Sequence, residues 1–247
     1  MDLDLNQRGF VAVDGCLSNM LILDALMAER TAARKGIAMV SLDIKKAFDS
    51  GSHEFVRRAL RRVGVPDYLF RYISSTLNDS VTSISVGSST SISVGSSTSR
   101  VVQINRGVGQ GDPLSPFLFN LVLDELLVRL ESHVSNGCPF RNGTRCRVLA
   151  FADDLVVVGE NVADLKLLLQ DIVSFFGRRG MTLHPDKCRM LVKKRNPDGA
   201  IIPLSKPGVQ IYGRELSSVS DINPMQYLGY SFDTYGVRKP NLTNYNV

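Results

Sequence analysis

The sequence predicts an α+β protein in which an antiparallel sheet packs on helices. Three observations carry this. The mostly apolar run Ile37–Leu42 suits a central strand and ends at Asp43. The runs Val148-Leu149-Ala150 and Leu155-Val156-Val157-Val158 flank Phe151-Ala152-Asp153-Asp154 as the arms of a buried hairpin. Segments 16–34, 117–130 and 165–176 repeat apolar residues at helical spacing.

With 247 residues the chain can bury a real core, as one large domain or two small ones. A formal charge of +5 and a pI near 9.1 permit a polyanionic partner without requiring one. Cys16, Cys138, Cys146 and Cys188 are scattered, with no Cys-x-x-Cys pair, and the histidines are His53, His133 and His184. That pattern spells neither a zinc site nor a disulfide framework and points to reduced thiols in an intracellular protein. No apolar run is long enough to span a bilayer, and residues 1–6 lack the basic and apolar regions of a signal peptide.

In chain order, Leu17, Met20, Leu21, Leu23, Leu26 and Met27 mark a helix that ends near Gly36. Beyond Asp43 the chain passes Lys45-Lys46-Ala47-Phe48-Asp49 and turns at Ser50-Gly51. Ser52 can then cap a helix with Phe55, Val56, Ala59, Leu60 and Val63 inward. Arg57, Arg58, Arg61 and Arg62 lie opposite, where a solvated face and a phosphate-tracking face are both open, the first being the commoner. Pro66 opens another helix to about residue 77. The octapeptide at 83–90 is repeated unchanged at 91–98, which reads as a tandem duplication within one lengthened or bulged surface hairpin, with 100–104 returning.

A Gly-rich loop follows, Arg106-Gly107-Val108-Gly109-Gln110-Gly111-Asp112. It leads into an apolar helix with Asp112 at the cap and Pro113 at the first helical position. After the Asp153-Asp154 hairpin, Asn161 caps a helix that Gly177 and Gly180 terminate. Residues 181–183 and 187–192 read as strands, 193–208 as a Pro-, Gly- and Lys-rich loop, 209–212 and 225–232 as short strands, and the last ten residues as frayed.

Asp153-Asp154 has two readings. Asp suits two-residue turns, so the pair can be a polar connection. Alternatively, strand ends at Asp43 and at Asp153-Asp154 bring three carboxylates together as an oxygen-lined site for two Mg²⁺ ions, the arrangement that serves phosphoryl transfer. Because neighbouring strand residues point opposite ways, Asp153 is the expected direct ligand and Asp154 the secondary one.

The ordered set of motifs resembles the reverse transcriptases. It is most similar to those of non-long-terminal-repeat retrotransposons, in particular the group that inserts into ribosomal RNA genes. Residues 43–49 match the first palm motif, 106–116 the second, 151–154 the third and 180–188 the fourth. Tyr227-Leu228-Gly229 matches the primer-grip strand, and Gln7 to Phe10 the late fingers. The resemblance implies a polymerase palm at 37–49 and 106–235, partial fingers at 1–36 and 50–105, and a tail at 236–247, with no recognisable thumb after Tyr235.

It also implies RNA-directed DNA polymerisation from deoxynucleoside triphosphates on an RNA template and a DNA primer, in the nucleus and away from membranes. Two Mg²⁺ ions, replaceable by Mn²⁺, would be held by Asp43, the carbonyl of Ile44, Asp153 and Asp154. Ala47 and Phe48 would form the nucleotide pocket, with Phe48 excluding a 2′-hydroxyl. Gln110 and Gly111 would contact nucleotide and template, Lys187 would sit by the pyrophosphate as a proton donor, and Tyr227, Leu228 and Gly229 would steady the primer end. Gly109 stands where these enzymes often carry lysine, and the duplicated hairpin is additional. Two other classes share the carboxylates: a catalytically silent nucleic-acid-binding scaffold of the same ancestry, and a metal-dependent nuclease or phosphatase, which has no need of the Gln110 loop or Phe48.

Overall fold

The computed structural model describes residues 6–10, 14–78, 81–82, 85–86, 97–98, 102–103, 106–107, 113–133, 135–220, 224–233 and 237–238. The first half runs α1 (Gly15–Ala32), β1 (Ile37–Leu42), α2 (Ala47–Ser50), α3 (His53–Arg62) and α4 (Asp67–Asn78), then short strands β2 (Val81–Thr82), β3 (Ser85–Val86), β4 (Ser97–Thr98) and β5 (Val102–Gln103). Next come α5 (Ser115–Glu131), β6 (Cys138–Pro139), β7 (Arg145–Cys146), β8 (Val148–Phe151), β9 (Asp154–Gly159) and α6 (Val162–Arg178). The remainder is β10 (Arg189–Arg195), β11 (Ile201–Pro203), β12 (Gln210–Ile211), β13 (Arg214–Glu215), β14 (Ser217–Ser218), β15 (Met225–Tyr227), β16 (Tyr230–Phe232) and β17 (Val237–Arg238).

The main sheet has the order β11-β10-β1-β9-β8, antiparallel throughout, with β14 added parallel to β10. Its central strand is the apolar run that ends at Asp43, and being covered on both faces explains why that run does not alternate. Ala38, Val40, Leu42, Leu155 and Val157 face one core, shared with α3, α4, α5 and α6. Ile37, Met39, Val156, Val158 and Leu191 face a second core, shared with α1 and the β15–β16 hairpin. The period-two alternation of side chains therefore sorts each strand residue onto a known face.

Charges near the cores are paired. Arg179 meets Glu125 at 2.6 Å, and Arg147 meets Glu131 at 2.7 Å. On α3, Arg62 is bound to Asp124, Arg57 to Asn78, and the guanidinium of Arg61 lies over the Phe70 ring at 4.9 Å. Arg57, Arg61 and Arg62 thus have protein partners, while Arg58, Arg61 and Arg62 remain exposed, in keeping with the solvated face that was the commoner of the two readings.

Several boundaries differ from expectation. Helix α1 begins on Asp14, whose side chain accepts from Leu17 N, and stops at Ala32, with Arg34 at φ 50° in the left-handed place glycine usually takes. Ser52 precedes α3 in extended conformation, but its side chain makes no capping bond. Helix α5 starts at Ser115 rather than beside Asp112, so Pro113 lies in the preceding turn and Pro116 in the first helical positions. Residues 181–183 contribute a single bridge, Ile44 to Leu183, instead of a strand. The basic loop is part sheet, because β10 runs on to Arg195 and β11 pairs back along it. Two further hairpins turn on paired left-handed residues: Tyr212-Gly213 (φ 53° and 75°) and Leu228-Gly229 (φ 49° and 80°). Both are the geometry of a type I′ turn, in which glycine readily takes one of the two positions.

The duplicated hairpin pairs Ser85 with Thr98 and Val86 with Ser97, nested within a pairing of Val81 with Gln103 and Thr82 with Val102. Deleting 91–98 puts Ser89-Thr90 in place of the identical Ser97-Thr98 and leaves Gly87-Ser88 as a two-residue connection, with glycine where a type II′ turn requires it. The deletion should raise the urea midpoint only modestly, since shortening the connection between Val86 and its partner from ten residues to two is worth about 1.4 kcal/mol by (3/2)RT ln 5.

Candidate active site

Asp43 follows the last residue of β1, where the sheet ends and the backbone is held by residues 182–184. Lys45 N donates to the Thr182 carbonyl and His184 N to the Asp43 carbonyl, each at 2.8 Å. The turn that follows His184 carries Lys187, whose Nζ lies 3.7 Å from Asp43 Oδ1, both side chains partly open to solvent. Lys46 at φ 48° redirects the chain into α2, which sets the Phe48 ring against Phe119 of α5 with centroids 4.8 Å apart. Behind it, Gly107 N donates to Gly51 O at 2.7 Å, and a Cβ on Gly107 would come within 2.8 Å of Phe48 O, so the Gly-rich loop begins where only glycine fits. Gln110 and Gly111 lie outside the described residues.

The second strand end is the β8–β9 hairpin. Phe151 pairs with Asp154, and Ala152-Asp153 is the two-residue connection, with Ala152 left-handed at φ 53°. An alanine there needs outside support. Gln7, 3% exposed, supplies it: its Oε1 accepts from both Ala152 N and Gly9 N at 2.9 Å, and its Nε2 donates to Ala152 O at 3.3 Å. The same segment is zipped to β8, with Ala150 N donating to Asn6 O and Arg8 N to Ala150 O. A Cβ on Gly9 would stand 2.3 Å from Ala152 N, and the Gly9 carbonyl is held by Asn120 Nδ2 at 2.7 Å. The sequence marks Gln7 only as part of a motif, and the signal that could have exposed its role is Gly9, kept where close backbone approach is needed.

Register then decides the faces. Leu42 lies opposite Leu155, so extending the ladder by one places Asp43 opposite Asp154. Alternation puts both on the face of the second core, with Met39 and Val156. The strand argument that favoured Asp153 over Asp154 is therefore corrected: Asp153 belongs to the turn, and the carboxyl that shares a sheet face with Asp43 is Asp154. Burial, the charge of Asp153 and the charge of Asp43, in that order, raise the Asp154 pKa above the ordinary carboxylate value.

Among the described residues no three carboxylate, imidazole or thiol groups are gathered closely enough to cage a metal ion. Magnesium does not ask for such a cage: at nucleotide-transfer sites one or two carboxylates hold it together with substrate phosphates. The hard oxygen donors of Asp43, Asp153 and Asp154 and the mutual repulsion felt at Asp154 fit that manner of binding.

Tyr227 is placed differently from a residue reaching for a primer. It is 3% exposed, and its hydroxyl accepts from Asn19 Nδ2 at 3.0 Å and donates to the Leu149 carbonyl at 3.4 Å. Burial drives its pKa upward. Leu228 and Gly229 form the turn beside it, with Gly229 exposed, so Tyr227-Leu228-Gly229 is a turn anchored by a buried tyrosine and not a continuous strand.

Compared with known proteins, residues 2–232 match the family described as reverse transcriptase (RNA-dependent DNA polymerase). The chain is 40% identical over 238 residues to a retrovirus-related Pol polyprotein from type-1 retrotransposable element R2 of Popillia japonica, covering 96% of this chain and 32% of that protein. A Pol polyprotein from type-2 retrotransposable element R2DM of Drosophila melanogaster is 34% identical, covering 94% of this chain and 21% of that one. The chain thus spans a third or less of these two relatives. Among solved structures, telomerase from Candida tropicalis in complex with a fragment of telomeric RNA superposes with a TM-score of 0.60 at 13% identity, over 96% of this chain and 34% of that one. The apo form truncated from its C-terminal domain gives 0.57 at 12%, over 95% and 41%. At that identity the likeness concerns the fold. No described helix is long and apolar enough to cross a membrane.

Two outcomes follow from the geometry. Gln7→Met keeps bulk but strands the Ala152 and Gly9 amides, and at about 1–3 kcal/mol for each unsatisfied buried group it should lower urea stability by about 2–6 kcal/mol. Asp153→Asn removes one of the two charges that raise Asp154. A ¹³C carboxyl titration should then show the Asp154 pKa fall part of the way toward its ordinary value, the part due to burial remaining.

Proposed function

The chain belongs to the reverse transcriptase family, and from that premise we propose that it is the catalytic segment of an RNA-directed DNA polymerase of a ribosomal-RNA-gene-inserting, non-long-terminal-repeat retrotransposon. It would extend a DNA primer on an RNA template from deoxynucleoside triphosphates, in the nucleus. Residues 37–49 and 106–235 would serve as palm, 1–36 and 50–105 as part of the fingers, and 236–247 as a tail. The observation that carries the reading is the meeting of Asp43 with the Asp153-Asp154 turn at one end of adjacent strands, close enough that Asp43 and Asp153 both act on the Asp154 carboxyl.

Asp43, Asp153 and Asp154, with the Ile44 carbonyl, would hold two Mg²⁺ ions, or Mn²⁺ in their place. Bound there, the ions would activate the primer 3′-hydroxyl and offset charge on the leaving pyrophosphate. Lys187, a neighbour of Asp43 on a solvent-open turn, would meet the pyrophosphate and give it a proton. Ala47 and Phe48 would line the sugar pocket. The ring of Phe48 is braced by Phe119, and a steric wall against a 2′-hydroxyl needs such backing. Gln110 and Gly111 would face nucleotide and template. Leu228 and Gly229 would present a turn to the primer end, with Tyr227 holding that turn from beneath.

The test uses a chain extended on both sides by the matching segments of a relative. Asp153→Asn keeps size and hydrogen bonding but removes the charge a hard cation needs. Primer extension on RNA should fall roughly 100-fold or more, the scale of removing one preorganised electrostatic group, while primer-template binding survives. Phe48→Ala should extend primers yet accept ribonucleotides more readily, with thermal unfolding measured alongside because the Phe119 contact is lost too. A silent scaffold would show no extension in the parent. Undiminished extension by Asp153→Asn would reduce the acidic pair to a structural turn.

A further inference from the structure

The ends of the three central strands opposite the carboxylates carry the reverse charge. Residues 34–36 lead into β1, residues 160–163 lead out of β9 into α6, and residues 193–195 close β10, and register brings these together: Ile37 lies opposite Lys193, and Ala38 opposite Gly159. Between them is a cleft of about 620 Å³ whose charged lining is Arg30, Arg34, Lys35, Glu160, Lys193, Lys194 and Arg195. Glu160 is already occupied by Arg30 at 3.1 Å and approached by Arg145 at 4.0 Å. Asp164, in the first turn of α6, is taken by Asn136 and by the Gly137 and Glu160 amides.

Arg34, Lys35, Lys194 and Arg195 are exposed, and among the described residues none of them forms an ion pair. Arg57, Arg61 and Arg62 of α3, by contrast, are held by protein groups. A groove that continues past Arg34 to residues 198–201 adds one acid, Asp198. Unpaired cations lining a concave surface fit a run of phosphates.

We propose that this cleft binds the phosphate backbone of a nucleic acid strand, as a second contact site separate from the carboxylate end. The span of β1, six residues at about 3.3 Å each, sets the two ends about 20 Å apart. At about 3.4 Å per nucleotide along a strand, that separation corresponds to about six nucleotides. The cleft would therefore hold nucleic acid that is not undergoing reaction. Recognition of this kind reads charge rather than sequence, so RNA and DNA single strands should both bind. The proposal requires no catalysis and stands or falls apart from the polymerase reading.

The test is fluorescence anisotropy of the whole chain with a labelled single-stranded RNA, and with DNA of the same sequence, across a salt series without divalent ions. Lys35→Gln with Lys194→Gln removes two cleft charges, and Lys166→Gln with Arg178→Gln removes two exposed charges from α6 as an equal-charge control. For the cleft pair the slope of log affinity against log salt should shrink by about 1.4, at about 0.7 per single-strand phosphate contact. That equals about a sevenfold smaller loss of affinity between 50 and 200 mM salt. The control should keep the parental slope. The proposal is overturned if the cleft pair keeps the parental slope, if the control loses as much, or if polyglutamate displaces the strand through the cleft residues better than unlabelled RNA does, which would assign the cleft to an acidic protein. An Asp43→Asn chain that retains parental binding supports the separation of the two sites, and loss of binding in it would refute that separation.

Discussion

The carboxylate-bearing turn runs through a left-handed alanine, and the uncharged amide of Gln7 satisfies the backbone groups that this conformation turns inward. A left-handed L-residue costs about 1–2 kcal/mol, while a net hydrogen bond returns about 1 kcal/mol, so the three bonds made by Gln7 are of the size needed to hold the turn. Gln7 reaches that position because Gly9 lets the early segment lie against Ala152 and Asn120 fastens the Gly9 carbonyl from α5. A segment some 145 residues away in sequence thus holds the backbone of the turn that carries Asp153.

Register provides the other half of the site. Every strand of the central trio is antiparallel to its neighbour, so residues before β1, after β9 and at the end of β10 assemble at one edge, while those after β1, before β9 and before β10 assemble at the other. Asp43, Asp154 and Lys187 meet for that reason, although they come from three parts of the chain. A slip of one residue between β1 and β9 would turn Asp154, with Val156 and Val158, toward the helical core and move Leu155 and Val157 out of it. Burial of the two faces in separate cores forbids the slip.

Legibility in the sequence followed the same physics. The run ending at Asp43, the β8–β9 hairpin and the long helices could be read because burial imposes periodicity and because Asn161 is a true side-chain cap. What could not be read was set by contacts distant in sequence. The second face of the sheet is closed by β15–β16, whose Tyr227 looks like any strand residue until Asn19 and Leu149 claim its hydroxyl. The left-handed residues Tyr212 and Leu228 are not glycines themselves, and their turns were read as strand. The relative roles of Asp153 and Asp154 depended on whether the first of them was in a strand at all, and only the pairing of Phe151 with Asp154 decides that.

The two ends of the sheet also act independently. At physiological ionic strength the Debye length is about 8 Å, less than half the roughly 20 Å between the ends, so neither charge cluster is much felt by groups at the other through solvent. The mildly basic net charge therefore says little about either end. At the carboxylate end, burial first and then the charges of Asp153 and Asp43 raise the pKa of Asp154, and phosphates would be repelled there unless cations were bound. At the other end Arg34, Lys35, Lys194 and Arg195 need no ion to attract the same phosphates. If the cleft binds as proposed, a strand meeting this chain without divalent cations would be drawn to the basic edge, and engagement of the acidic edge would be the metal-dependent event. The antiparallel register that gathers the carboxylates necessarily gathers the opposite set of strand ends as well, so one topology yields one acidic edge and one basic edge.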